Sequence, residues 1–184
     1  MRFLYSFLFL FFLQIGIAQS LDFETFRQSL DAFGIETDEP TEGRAKFFQV
    51  KKQTFLKENF RINLKKENIE IWVAFHPTDT SNLSTQMPNI FCRTTAVNAA
   101  TNDEEAVTTV LKLSDEYLKE TFGAEWGREL FFRPKTQLSE RQHCRLISIY
   151  KEEVGHLNVF CFFDEKSKNL DAFSEMFWFK KDSF

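Results

Sequence analysis

Three cysteines (Cys92, Cys144 and Cys161) and three histidines (His76, His143 and His156) are the side chains of this 184-residue sequence best suited to chemistry. A thiol becomes a nucleophile when an imidazole takes its proton, and a zinc site needs ligands at short, fixed spacings. No two histidines stand four residues apart and no Cys-x-x-Cys occurs, so neither spacing typical of zinc is present. His143 and Cys144 are neighbours, but neighbours on a strand point to opposite faces, which prevents a dyad. Only the fold could carry His76 or His156 to Cys92, and this keeps a thiol-dependent hydrolase among the open readings. There is no Gly-x-Ser-x-Gly elbow, phosphate-cradling loop or dinucleotide fingerprint. No residue is therefore assigned as catalytic, cofactor-binding or metal-binding, and no cofactor is expected.

The fate of the cysteines depends on where the chain travels. Arg2, the apolar run from Phe3 to Leu13, and Gly16-Ile17-Ala18 before Gln19 have the layout of a secretory signal peptide. Gln14 interrupts the run well short of the about 20 apolar residues that a spanning helix needs. Cleavage near Ala18 is expected, giving a secreted or periplasmic product with no integral membrane segment. In an oxidising compartment, one disulfide among Cys92, Cys144 and Cys161 with one thiol left over is one outcome, with three pairings open. Three reduced, buried thiols are the other. The run Phe160-Cys161-Phe162-Phe163 favours the second for Cys161. Asn82-Leu83-Ser84 matches a glycosylation acceptor, relevant if the secretory pathway is eukaryotic.

Losing Arg2 with the leader shifts the formal net charge from −4 to −5. A general nucleic-acid binder needs a basic face to displace counterions, so nucleic acid is not an expected partner, although Lys51-Lys52 and Lys65-Lys66 are local basic pairs. The sequence holds 24 phenylalanines against three tyrosines and three tryptophans. Those rings either fill the core or line an apolar pocket or partner-binding surface.

These residues must be positioned by a modest set of elements. Asp22 caps a predicted short helix with Phe26, Leu30 and Phe33 on one face and Gly34 as its stop. An acidic linker follows over 36–43, without the spacing of a calcium loop. Residues 44–59 fit neither period. Phe60, Ile62 and Leu64, then Ile69, Ile71, Val73 and Phe75, alternate as a β-hairpin, and 90–96 reads as a third strand. Thr101 and Glu104 form a capping-box signature. Val107, Val110, Leu111, Leu118 and Phe122 then recur at helical spacing up to Gly123, predicting one long helix over 101–122. Further strands are expected at 128–133, 144–151 and 157–163, with a short helix near Leu170 and an aromatic strand after Met176. The predicted organisation is a signal peptide (1–18), an N-terminal helix with acidic linker (19–43), and one α+β domain (44–184). In that domain an antiparallel sheet carries the long helix on one face. Phe184 at the end of the sequence follows Lys180, Lys181 and Asp182, a polar run unlike the closing strand of an outer-membrane barrel.

The layout carried by Phe60-Arg-Ile-Asn-Leu64, Asn89-Ile-Phe91, the helix over 101–122, Asp171-Ala-Phe173 and Phe177-Trp-Phe179 resembles PsbP-like periplasmic domains across residues 55–184. The resemblance implies a helix-on-sheet sandwich used as a non-catalytic binding scaffold, and it transfers no site residues. The expected function is an exported, non-enzymatic domain that binds a protein partner, such as an envelope component or a toxin it neutralises. A carrier of a small apolar ligand and a thiol-dependent hydrolase are the alternatives.

Overall fold

Alternation in Phe60-Arg-Ile-Asn-Leu64 and Ile69-Glu-Ile71 puts a row of apolar side chains on one face of each strand, which a sheet can bury only under a second layer. The computed structural model describes residues 19–40, 45–103, 106–165 and 170–181. The leader at 1–18 lies outside the described residues, as does Phe184. The first half runs β1 (Gln19–Leu21), α1 (Phe23–Asp31), β2 (Ile35–Thr37), β3 (Ala45–Gln49), β4 (Phe60–Leu64) and β5 (Ile69–Pro77). A 3-10 turn, Leu83–Gln86, leads into α2 (Pro88–Ala99). Then come β6 (Thr109–Lys112), α3 (Asp115–Tyr117), β7 (Trp126–Phe132), β8 (His143–Lys151), β9 (Gly155–Phe163), α4 (Leu170–Ser174) and β10 (Phe177–Phe179).

Eight strands make one antiparallel sheet in the order β1-β3-β4-β5-β9-β8-β7-β6, while β2 and β10 pair as a separate ribbon. All nine residues of β9 are buried, which requires cover on both faces. On the first face, Phe60, Ile62, Ile71, Val73, Ile147 and Val159 lie under α1, the β2–β10 ribbon, the turn after α3, and α4. On the second, Trp72, Leu130, Phe132, Leu146, Phe160 and Phe162 lie under α2, with Leu56 and Leu138 beside it.

The N-terminal helix starts where Asp22 accepts a hydrogen bond from the Thr25 amide at 2.7 Å, and it buries Phe26 and Leu30 completely. The hairpin pairs Phe60 with Val73 and Leu64 with Ile69, with Asn68 in the left-handed region at the turn. Residues 45–49, ambiguous in sequence, form a strand. Part of the predicted acidic linker also becomes strand, because Ile35 and Thr37 are buried against Phe179 and Phe177 of the ribbon.

The long helix over 101–122 is overturned. Thr109–Lys112 is instead the edge strand of the sheet, followed by the short α3 and a single π-type turn, Leu118–Phe122. Val107-Thr108-Thr109-Val110 is an unbroken run of β-branched residues, whose side chains lose rotamer freedom in a helix and suit a strand. Ser114 then opens a new turn by accepting a hydrogen bond from the Tyr117 amide at 3.2 Å, and Gly123 closes it at φ 58°. The predicted stripe is thereby split: Leu118 and Phe122 are buried, while Val107 and Leu111 face solvent. Glu104, the second member of the predicted capping box, lies outside the described residues.

The strand expected at 90–96 is also corrected, since those residues lie within α2. Pro88 stands at the first turn, where a missing N–H leaves nothing unpaired. Cys92, Ala96 and Ala99 form a narrow buried face that lets the helix approach the sheet closely.

Candidate functional site

The ladder positions of β5, β9 and β8 decide which polar residues meet beneath α2. His76 pairs with His156 and His156 with Tyr150, while Asn158 lies between Ala74 and Ser148 in the next row. Alternation turns both rows to the face that α2 covers. Phe91 of α2 stacks on the His156 ring at 4.1 Å and meets His76 edge-on at 4.9 Å. His156 Nε2 lies 2.8 Å from the Thr85 carbonyl, which can only accept, so Nε2 carries the proton and Nδ1 a lone pair. That Nδ1, the Ser148 hydroxyl and both ends of the Asn158 amide are buried without a hydrogen-bond partner. Cys92 lies against Ser148, and burial pushes its thiol above the ordinary range.

The fold thus gathers Cys92, His76, His156, Ser148 and Asn158 on one face, a grouping invisible in sequence spacing. The electrostatics of the group oppose nucleophilic chemistry. An activated cysteine needs a lowered thiol pKa beside an imidazolium. Here burial raises the thiol, lowers His156, and, with help from the His156 and Lys57 charges, lowers His76 to about 4. Both partners are held neutral, and Cys92 is only 2% exposed.

The other predicted sites are dispersed. Cys144 pairs with Phe162 and Cys161 with Arg145, which turns the two thiols to opposite faces of the sheet. Cys92 lies beside Ser148, four residues along β8 from Cys144, or about 13 Å at strand rise. A disulfide requires Cα atoms within about 7 Å. All three are free, buried thiols. Burial drives Cys161 to about 12 and Cys144 well above its usual value. Asn82 is exposed at the head of the 3-10 turn, where its side-chain oxygen accepts from the Ser84 amide at 3.1 Å and the Ser84 hydroxyl at 2.7 Å. His143 is exposed beside Phe163. Among the described residues, no group of three or more His, Cys, Asp or Glu is placed to hold a metal ion.

A second feature lies on the outer surface of the α2 side. Among the described phenylalanines only Phe33 and Phe55 are exposed, so the rings serve the core and the apolar surface is aliphatic. Val97 and Val110 are 70% and 55% exposed there, and Ile90 and Met87 are exposed along α2, whereas Leu111, opposite Glu129, turns to the other face and Val107 lines a separate cavity with Thr109, Phe131 and Leu170. Between α2 and β6 runs a groove of about 310 Å³, lined by Arg93, Ala96, Val97, Ala100, Val110 and Leu130. Lys112 and Arg128 are directly opposite in the β6–β7 ladder, two residues beyond Val110 and Leu130 on the same face. No family model matches the chain, and no curated protein matches it. The functional reading accordingly rests on this geometry. Among the described residues no helix is long and apolar enough to cross a membrane.

Sequence reasoning missed the α2–β6 groove because it placed both segments in the wrong element. The signal was present in the β-branched run 107–110. The polar rows beneath α2 also had a trace: Ser148 and Asn158 interrupt apolar strands at Leu146-Ile-Ser-Ile149 and Leu157-Asn-Val159.

Proposed function

We propose that this chain is an exported, non-enzymatic binding domain that takes a protein partner on the surface formed by α2 and β6. The observation carrying this reading is the pair Val97 and Val110, 70% and 55% exposed, which line one aliphatic groove between α2 and β6. Contiguous apolar surface on a soluble fold is unfavourable in water and marks an interaction site. Export rests on the leader pattern of Arg2, the apolar run and Ala18, and places the partner in the periplasm or outside the cell. An envelope component and a toxin to be neutralised are both partners of this kind. The groove lies at the surface beside the exposed Val97 and Val110, whereas a carrier encloses most of its ligand, so the surface favours a macromolecule over a carried small molecule.

The test is a pull-down from the native cell envelope with the full chain and with Val97→Asp/Val110→Asp. Both positions are exposed, so the variant is expected to keep its circular dichroism spectrum. A partner retained by the native chain and lost by the variant is expected. Retention of every captured protein by both chains, or capture of none, would overturn the proposal.

A further inference from the structure

We infer that β6 receives an extended acidic segment of the partner polypeptide as a ninth strand, with a carboxylate seated against Arg93, Lys112 and Arg128. This deepens the partner-binding reading above and rests on it.

A terminal strand presents every second N–H and C=O outward without a mate. Among the described residues β6 pairs with β7 alone. Natural edges are guarded by charge, proline or a bulge, yet Thr109-Val-Leu-Lys112 offers one lysine and two exposed aliphatics. At the opposite edge β1 is only three residues long, Gln-Ser-Leu. This edge, with a single lysine as its guard, is also the one that adjoins the aliphatic groove, so an added strand would gain backbone hydrogen bonds and apolar burial together.

Charge selects the occupant. Among the described residues, neither Arg93 nor Arg128 has a carboxylate within ion-pair distance. Arg128 instead donates to the Gly127 carbonyl at 3.0 Å and lies over the Trp126 ring. Lys112 has only a 3.9 Å approach to Asp115, with both side chains largely exposed. Lys112 and Arg128 thus stand together in the ladder and Arg93 lines the groove beside it, on a chain whose formal net charge is −4. The β6 strand of a second copy carries no carboxylate and would leave these cations uncompensated. An acidic segment neutralises them.

Register makes the occupant more specific. Every neighbouring pair in the sheet is antiparallel, and an added strand continuing that pattern would run opposite to β6. Its residue beside Val110 lies over the groove. The residue two positions earlier, about 7 Å away, reaches Lys112. The recognised pattern is therefore an acid, any residue, then Val, Ile or Leu.

Random peptides of about twelve residues, displayed on phage and selected against the full chain, provide the probe. The expected result is enrichment of the acid-x-aliphatic pattern. Binding of the selected peptides should fall about tenfold on Arg93→Glu or Lys112→Glu and recover when the peptide acid is changed to Lys. Hydrogen exchange should slow across Thr109–Lys112 when the peptide is bound. Three results would overturn strand addition while leaving partner binding intact. These are enriched peptides without acids, binding indifferent to Arg93→Glu, and protection confined to α2. An empty selection alongside a pull-down partner that depends on Val97 and Val110 would do the same, since a linear segment should suffice. An empty selection with no captured partner would sink both readings.

Discussion

Beneath α1 and the ribbon, Phe26 stacks on Phe47 at 4.7 Å and meets Phe60 and Phe177 edge-on. At comparable depth beneath α2 lie Ser148, His156 and Asn158 with unpartnered polar atoms. Polar burial as such does not separate the two faces. Arg145 is buried on the first face, yet it pairs with Glu129, with Asp171 at 2.6 Å, and more loosely with Glu175 at 3.7 Å, which ties α4 to the sheet. The difference lies in satisfaction: among the described residues, the buried side-chain atoms of Ser148, His156 and Asn158 on the second face lack partners, whereas Arg145 on the first is paired. Well-packed, satisfied regions open only with the whole molecule, while under-satisfied ones open locally at lower free energy. The face that carries the exposed groove is thus the one expected to open at lower free energy.

The most damaging way to break this asymmetry is to hollow the tight face. Phe26→Ala should cost about 3–5 kcal/mol, the range for a buried aromatic that leaves a cavity. Arg145→Ala should approach about 3 kcal/mol, because Glu129 would be left nearly buried without its partner. Urea unfolding at pH 7 measures both. Losses below about 1 kcal/mol at these two positions would mean that the aromatic face is not the stabilising one.

The opposite sign is expected on the other face. Asn158→Leu replaces two orphaned amide atoms with apolar volume and should stabilise the fold by about 1–3 kcal/mol. A raised urea midpoint checks this. A lowered midpoint would show that the Asn158 amide has a partner in solution and that the second face is better satisfied than its geometry implies.

Acid should separate the faces without any mutation. His76 titrates near 4 and His156 below its ordinary value when folded, against about 6.5 unfolded. Below 6.5 the unfolded chain binds protons that the folded chain refuses, so this contribution is complete above about 6.5 and declines as pH falls toward 4. Between pH 6.5 and 5 few carboxylates protonate, so the loss in that window belongs to the histidines. Hydrogen-exchange protection, taken relative to the intrinsic rate at each pH, should fall at pH 5.3 in α2 and the 3-10 turn, which pack on His156 through Phe91 and Thr85, and stay unchanged in α1. An equal fall in both helices would dissolve the distinction.

Where local pattern and burial agreed, the sequence was readable. The Asp22 cap, the alternation in 60–64 and 69–75, and the apolar runs at 144–151 and 157–163 each point one way, and the structure follows them. The failures came where two periods overlapped. Val107, Val110, Leu111, Leu118 and Phe122 fit a helical stripe, but the stripe ignores that 107–110 is entirely β-branched and that Ser114 can cap a fresh turn. At 88–99 the β-favouring Ile90, Phe91 and Val97 masked a proline-started helix whose buried face is small. The grouping of Cys92 with His156 and Asn158 was beyond reach, because it depends on β5 and β9 being neighbours across about eighty residues of chain.

The smallest effect tests whether the α2 side opens enough to admit a reagent. In the native state at pH 7 a buried thiol alkylates slowly, since its thiolate is scarce and access is blocked. Cys144 and Cys161 are the most shielded, and burial holds both far above neutral pH, Cys161 at about 12. Cys92 is shifted for the same reason but lies under α2 and is reached whenever that helix lifts. Iodoacetamide followed by intact mass should therefore add label first at Cys92 and faster at pH 5.8 than thiolate chemistry alone predicts, because histidine protonation loosens the α2 side. Cys144 and Cys161 should label only when urea unfolds the chain, and then all three thiols should react without a reductant. Labelling of Cys161 ahead of Cys92 would reverse the ranking of the two faces, and a thiol that reacts only after reduction would reveal a disulfide at odds with the opposite facing of Cys144 and Cys161 and with the place of Cys92 beside Ser148.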